Sequence, residues 1–131
     1  MNSVDDLIAF VTARLDEDEH TALAASPGPW HLNEEGDTVL AVDDIAAAEA
    51  FALSGPQQRA TAAHIARHDP AHVLREVAAK RAIVAYFDLC VRAESNGTAA
   101  AVLEAVMIDL ASTDAHHPDF KPQWRVEHQE T

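Results

Sequence analysis

Two groups of histidine and aspartate side chains are the residues of this 131-residue sequence best suited to bind a metal ion. His64 and His68 are four residues apart, so they share one face of a predicted helix. His117 and Asp119 follow near the C-terminus, directly after His116. A zinc site takes three or four nitrogen, sulfur or oxygen ligands, often two of them from one helical turn. The candidate metal site is therefore His64, His68, His117 and Asp119, with His116 as the alternative to His117 and zinc as its ion. The competing interpretation is ordinary surface histidines that make hydrogen bonds.

Catalytic residues are not indicated by any motif. The single cysteine, Cys90, lies between two apolar residues in a predicted helix, which indicates a buried and unreactive thiol. The sequence contains no GxSxG, P-loop or GxGxxG pattern, so no hydrolase, NTPase or dehydrogenase class is favoured. One cysteine forms no internal disulfide, which fits a reducing cytosol. We therefore expect no catalytic site, no cofactor other than the zinc considered above, and a cytoplasmic location.

A run of four acidic residues in the first helix is the candidate surface for a protein partner: Asp16, Glu17, Asp18 and Glu19. The run lacks the glycine and the alternating ligands of an EF-hand loop, so it does not predict a calcium site. The simpler interpretation is a solvated helix face that keeps the protein soluble.

Charge is unevenly distributed along the chain, whose formal net charge is −13. Residues 1–54 carry twelve acidic side chains and one basic one, a net charge of −11. Residues 55–92 carry six basic and three acidic side chains, a net charge of +3. This balance disfavours direct binding to nucleic acid or to an anionic membrane and favours a basic protein partner. Pairing between the acidic front and the basic middle of the same chain is the alternative.

Secondary structure is predicted to be mainly helical. Apolar periodicity and capping residues predict helices over about residues 4–24, 44–53, 56–68, 70–94 and 98–112. Asp69 before Pro70 is typical of a helix cap followed by a first-turn proline. Residues 30–32 and 38–42 predict one β-hairpin. The expected fold class is mainly α (α+β), a single-domain helical bundle of about four to five helices with one short β-hairpin.

The length of the chain fits one domain. We expect a helical domain over residues 1–115, with the hairpin near 30–42, and an extended tail over residues 116–131. Phe120 and Trp124 are the rings predicted to dock that tail. No apolar run approaches the roughly 18 residues of a membrane span, and the acidic N-terminus lacks the features of a signal peptide.

Three segments carry a recognisable pattern: residues 5–19, the PGPW of residues 27–30, and HIARHDPAHVLREVAAKR at residues 64–81. Together they resemble a family of small proteins from actinobacteria and their phages, a domain of unknown function. The resemblance spans nearly the whole chain, and the block at residues 64–81 is its most specific part. Residues 43–61 depart from the pattern of that family. The resemblance implies no activity and no cofactor.

Three functional hypotheses follow from these observations. The leading one is a small, acidic, non-enzymatic protein that binds another macromolecule, a basic protein, in a phage or mobile-element context. The second is a metal-dependent hydrolase that uses the histidine and aspartate cluster. The third is an acidic DNA-mimic inhibitor. A homo-oligomer held by an Ala-rich apolar helix face is a further alternative for the partner.

Overall fold

A computed structural model describes residues 3–93 and 97–125 of the chain. Over these residues the chain forms four α-helices, three β-strands and one short 3₁₀-helix. The helices are α1 (Ser3–Ala24), α2 (Gly55–Arg67), α3 (Pro70–Arg92) and α4 (Thr98–Ser112), and the 3₁₀-helix is Pro122–Trp124. The strands are β1 (His31–Leu32), β2 (Thr38–Leu40) and β3 (Ala46–Glu49). The predicted fold class, mainly α with a small antiparallel element, is confirmed.

Backbone packing divides the chain into two compact units. Unit 1 comprises Met1–Glu17 and Ala78–Thr131, and unit 2 comprises Asp18–Val77. Both boundaries fall inside helices, since α1 and α3 each contribute residues to both units. The predicted tail belongs to unit 1, although its residues 126–131 lie outside the described residues, as does the predicted end of the third helix at residue 94.

The hairpin of unit 2 forms where the sequence predicted it. Strands β1, β2 and β3 form an antiparallel sheet in that order. The side-chain oxygen of Asn33 accepts hydrogen bonds from the backbone N–H groups of Asp37 (3.1 Å) and Thr38 (3.2 Å). Gly36 has a φ of 74°, a left-handed conformation that glycine adopts without a Cβ clash. These contacts close the turn between β1 and β2.

The prediction of a helix over residues 44–53 is wrong, because this segment contains strand β3. Asp43 and Asp44 form the turn between β2 and β3. Asp43 Oδ1 accepts a hydrogen bond from the backbone N–H of Ile45 (3.1 Å), and Asp44 has a φ of 64°. Alanine exceeds most residues in helix propensity by less than about 0.7 kcal/mol. Strand pairing with β2 therefore outweighs the alanine-rich composition.

Buried side chains of unit 2 lie between the sheet and α2. Val39 of β2, Ala50 after β3 and Ala62 of α2 form one buried cluster, and Trp30 packs against it. Ser54 caps α2, because its hydroxyl oxygen accepts a hydrogen bond from a first-turn backbone N–H (3.3 Å). The small alanine side chains allow the helix to approach the sheet closely.

Unit 1 buries apolar side chains from three of the helices and from the C-terminal segment. Leu7 and Val11, one turn apart on α1, are buried, as are Phe87 of α3 and Met107 of α4. This spacing is the helical stripe that the sequence predicted for α1. Cys90, predicted to be a core residue, is only partly buried.

Candidate functional site

Asp69, between α2 and α3, joins the two most characteristic sequence segments of unit 2. Its carboxylate is buried, with 6% of the residue exposed. Oδ1 accepts a hydrogen bond from the backbone N–H of His72 (2.7 Å), which is the predicted helix cap. Oδ2 accepts a second hydrogen bond from the backbone N–H of Trp30 (2.8 Å). This second contact fixes the PGPW segment to α3, and spacing alone could not reveal it because the two residues are 39 positions apart.

Three histidines of unit 2 lie side by side around the same junction. The ring centroids of His64 and His68 are 4.5 Å apart, which confirms that they share a helix face. His72 adds a third ring, 5.8 Å from that of His68. From the sequence, His72 is not grouped with them, because Asp69 and Pro70 break the helix between His68 and His72. The histidines make local hydrogen bonds: His68 Nδ1 is 2.8 Å from the carbonyl oxygen of His64.

His68 also lines a cleft in unit 2. The cleft has a volume of about 300 Å³, and its wall includes Trp30, Pro70 and Val73. The indole N–H of Trp30 donates a hydrogen bond to the backbone oxygen of Ser26 (2.8 Å), so this donor is already engaged. The lining of the cleft is mainly apolar, with His68 and Asp18 as its titratable residues.

The four residues of the predicted zinc site are divided between the two units. His64 and His68 belong to unit 2, whereas His117 and Asp119 belong to unit 1. His117 contacts the guanidinium of Arg14 through Nε2, and its Nδ1 lies 3.0 Å from the backbone nitrogen of Asp119. Among residues 3–93 and 97–125, no group of three or more His, Cys, Asp or Glu side chains is arranged to hold a metal ion. The zinc site and its hydrolase chemistry stay predictions.

The acidic run Asp16–Glu19 is engaged by other side chains, and its first two residues form ion pairs within unit 1. Asp16 Oδ1 accepts a hydrogen bond from Arg81 (2.8 Å), and Glu17 Oε1 accepts one from Arg14 (3.0 Å). Asp18 and Glu19 also have interacting groups. The Asp16–Arg81 pair is exposed, and such pairs contribute about 0–1 kcal/mol, so a basic partner could displace it. The role of the run in partner binding stays a prediction.

A second acidic surface lies on the sheet of unit 2. Residues 30–54 contain six acidic side chains and no lysine or arginine. Exposed apolar side chains accompany them: Val42, Ile45, Phe51 and Leu53. Phe51 is 79% exposed and Leu53 is fully exposed, which is unusual for side chains of this size. We call this surface the acidic edge and define it as β3 with those four apolar residues and Asp43, Asp44 and Glu49. The acidic edge could not be found from the sequence, because residues 44–53 were predicted to form a helix.

The C-terminal segment of unit 1 is attached to α1 by aromatic side chains. Phe120 and Trp124 are buried, and their ring centroids lie 5.8 and 5.3 Å from that of Phe10. The ring of His117 meets Phe10 edge-on at 5.6 Å. Aromatic pairs at these separations contribute about 0.5–1.5 kcal/mol beyond their burial. The cluster holds this segment beside Arg14.

These features define a mainly helical protein with a small antiparallel sheet and a buried aspartate that links its two characteristic sequence segments. The chain belongs to a family of unknown function (DUF6221), whose model matches residues 4–126. This match confirms the resemblance to a domain of unknown function. Neither the curated proteins nor the solved structures include a match to the chain. Within the part of the chain that the structure describes, no helix is long and apolar enough to cross a membrane.

Proposed function

We propose that the chain is a non-enzymatic protein-binding module whose acidic edge receives a basic, extended segment of a partner protein. The observation that carries this proposal is the exposure of Phe51 and Leu53 beside an edge strand, in a stretch without lysine or arginine. Large exposed apolar side chains surrounded by charge are typical of interaction sites. A phage or mobile-element context for the partner is part of the same proposal, since the motifs resemble proteins of actinobacteria and their phages.

Strand β3 offers a backbone surface for such a partner. Like β1, it is an outer strand of the three-stranded sheet, so β2 pairs with only one of its two sides. The outer side of an edge strand is a template for strand addition by an extended peptide. Ile45 precedes β3 and Phe51 follows it, at the two ends of a strand that spans about 13 Å at 3.3 Å per residue. Pockets or apolar residues on the partner would contact these two side chains.

Charge complementarity selects the partner. Asp43, Asp44 and Glu49 are exposed, and residues 30–54 contain no lysine or arginine. The histidine of this stretch, His31, contacts Asp44 Oδ1 through Nε2 (2.9 Å). Like charges would repel an acidic segment, whereas lysine or arginine residues would increase the association rate at low salt. The exposed apolar residues favour a protein partner over the DNA-mimic hypothesis, since a DNA mimic needs spaced carboxylates rather than apolar contacts.

A random peptide library displayed on phage tests this proposal without knowledge of the natural partner. We expect selection on the immobilised chain to enrich basic peptides with alternating apolar residues. Synthetic versions should bind at least tenfold more weakly to a Phe51→Ser/Leu53→Ser double variant. A control, Tyr86→Ser/Leu89→Ser, changes two other exposed residues of large apolar surface, on α3 of unit 1, and should bind as the parent does.

Amide chemical shifts locate the bound peptide. Shifts caused by the selected peptides should concentrate in Ala46–Glu49, because strand addition changes the hydrogen bonding of that backbone. Enrichment of acidic or neutral peptides would contradict the proposal. Equal binding by the Phe51→Ser/Leu53→Ser variant, or no enrichment at all, would contradict it as well.

A further inference from the structure

We propose that a cleft in unit 1 binds a small monocarboxylate with a planar apolar body. The cleft lies between α1 and the C-terminal segment and has a volume of about 390 Å³. Small-molecule sites have volumes of about 300–1,000 Å³, so a ligand with one or two rings would fit. The residues that matter for its recognition are Asp6, Ala9, Ala13, Arg14, Lys121 and Trp124. The site uses no residue of the acidic edge.

The shape of the cleft follows from the spacing of small residues on α1. Ala9 and Ala13 are one turn apart, so they lie on the same face of the helix. Their short side chains leave space where longer ones would fill the cleft. Asp6 and Arg14 mark its two ends, eight residues or about 12 Å apart along the helix. Trp124 contributes an aromatic wall. The elongated, apolar middle suits a planar body, and the charged ends suit a polar group.

Arg14 supplies the anion-binding group. A guanidinium has five N–H donors in a planar fork. One Nη2 donor of Arg14 is engaged by Glu17 (3.0 Å), and Nη1 contacts His117. The Nε atom of Arg14 is buried and has no acceptor within the described residues. The whole Arg14 side chain is only 11% exposed. A buried donor without an acceptor is rare in folded proteins. Because Nε has less than 1 Å² of accessible surface, the Arg14 side chain has to turn toward the cleft to present it to a ligand, and a carboxylate is the acceptor that best matches this fork.

The remaining charges limit the ligand to a single negative charge. Lys121 is paired with Asp6, so its ammonium is already compensated by a carboxylate. Asp119 adds a second carboxylate to the wall of the cleft. Asp6 is neutralised by Lys121, so Asp119 is the carboxylate that repels an anion, and it repels a doubly charged phosphate more strongly than a monoanion. A monoanion held by Arg14 can place its apolar body beside Ala9 and Trp124.

Titration of the ¹⁵N-labelled chain with benzoate and indole-3-carboxylate tests the proposal. We expect saturable shifts at Ala9, Arg14 and the indole N–H of Trp124, with a Kd of about 1 mM or tighter for the indole compound. Benzyl alcohol and benzylamine share the ring but lack the carboxylate, and phenyl phosphate carries the second charge. These three compounds should produce no saturable shift at those positions.

Two variants and a control separate the role of the cleft volume from that of the Arg14 guanidinium. Ala9→Leu fills the cleft without changing a charge, and Arg14→Gln removes the fork. Each should weaken indole-3-carboxylate binding by at least tenfold. Arg92→Gln changes an exposed arginine of the same unit, paired with Asp88 (2.9 Å), and should bind as the parent does.

Thermal unfolding shows whether each variant is folded. If Arg14→Gln unfolds, Ala9→Leu decides the outcome, because Ala9 is exposed and its substitution leaves the packed side of α1 intact. The proposal is overturned if no carboxylate gives a saturable shift. It is also overturned if Ala9→Leu binds as tightly as the parent, or if benzylamine binds as well as benzoate.

Discussion

At the scale of single residues, Asp69 combines two structural roles in one buried carboxylate. Its two oxygens accept hydrogen bonds from backbone groups that belong to different parts of unit 2. A backbone N–H buried without an acceptor costs about 1–3 kcal/mol. The residue therefore stabilises the start of α3 and the position of Trp30 together.

Substitution of Asp69 is expected to lower the free energy of unfolding, by an amount that depends on how many of its two hydrogen bonds are lost. Asp69→Ala removes both acceptors and should cost about 2–4 kcal/mol. Asp69→Ser keeps a helix cap but does not reach Trp30, so it should cost about half as much. Urea denaturation measures both values. Asp88→Ala, which removes one exposed ion pair with Arg92, serves as the control and should cost less than about 1 kcal/mol. A loss for Asp69→Ala no larger than that of the control would contradict this assignment.

Asp37 gives the hairpin a defined dependence on pH. The hydrogen bond from the Asn33 side-chain amide lowers the pKa of Asp37 below its ordinary value of 3.8, and the Thr38 hydroxyl lowers it further. Desolvation opposes this effect. Because the folded pKa is below the unfolded one, the stabilisation is fully present above about pH 4 and is lost as the pH falls through the folded pKa.

The variant Asp37→Ala tests this dependence. We expect its melting temperature to lie below that of the parent by a constant amount between pH 5 and pH 7. The difference should shrink toward pH 3, where the parent also loses the carboxylate charge. Thermal unfolding followed by circular dichroism measures it at each pH. Glu35→Ala, which changes another exposed acidic residue of the same turn, should show no such convergence. A pH-independent difference for Asp37→Ala would exclude the proposed cause.

At the scale of elements, the PGPW segment and the first turn of α3 touch at Gly28. A Cβ atom at this position would lie 2.9 Å from Asp69 Oδ2, 3.0 Å from Ala71 Cβ and 3.2 Å from Ala71 N. Two of these contacts are with the helix itself, which cannot move aside as a flexible side chain can. The glycine therefore permits the close approach that the Asp69 hydrogen bond requires.

We expect Gly28→Ala to destabilise the protein by about 1–3 kcal/mol, as overpacking of a tight contact does. Gly55→Ala is the matched control, since its new Cβ would meet only the movable end of Arg59. Chemical denaturation of both variants gives the comparison. Equal stability of the two would show that the segment can shift away from α3 without cost.

The helices could be predicted from the sequence, whereas the packing around them could not. Apolar periodicity and the proline at the first turn located α1, α2 and α3 within a few residues. The same reasoning failed at β3, because composition favours a helix there and the strand depends on pairing with β2. Local spacing also could not show that Trp30 meets Asp69, or that Arg14 faces the C-terminal segment, since such contacts join residues distant in the chain.

At the scale of the whole molecule, net charge and exposed apolar surface oppose each other. The formal charge of −13 at pH 7 repels other copies of the chain. The exposed Phe51 and Leu53, beside an edge strand, favour association. Repulsion between whole molecules weakens near the isoelectric point of about 4.7 or in concentrated salt, whereas apolar attraction persists.

The balance between charge repulsion and apolar attraction predicts a monomer of 14.1 kDa at pH 7.5 and low salt. It predicts larger species as the pH approaches 4.7. In 1 M salt at pH 7.5 the Debye length falls to about 3 Å, so the same association should begin there. Light scattering after size exclusion measures the mass under each condition. Phe51→Ser/Leu53→Ser should remain monomeric closer to pH 4.7, whereas Tyr86→Ser/Leu89→Ser should associate as the parent does. If both double variants associate like the parent, the contact between copies involves another surface, and the acidic edge has no role in self-association. The test varies the charge repulsion through pH and salt, and the apolar surface through the double variants. It therefore shows whether charge repulsion is what prevents the acidic edge from binding a second copy of the chain.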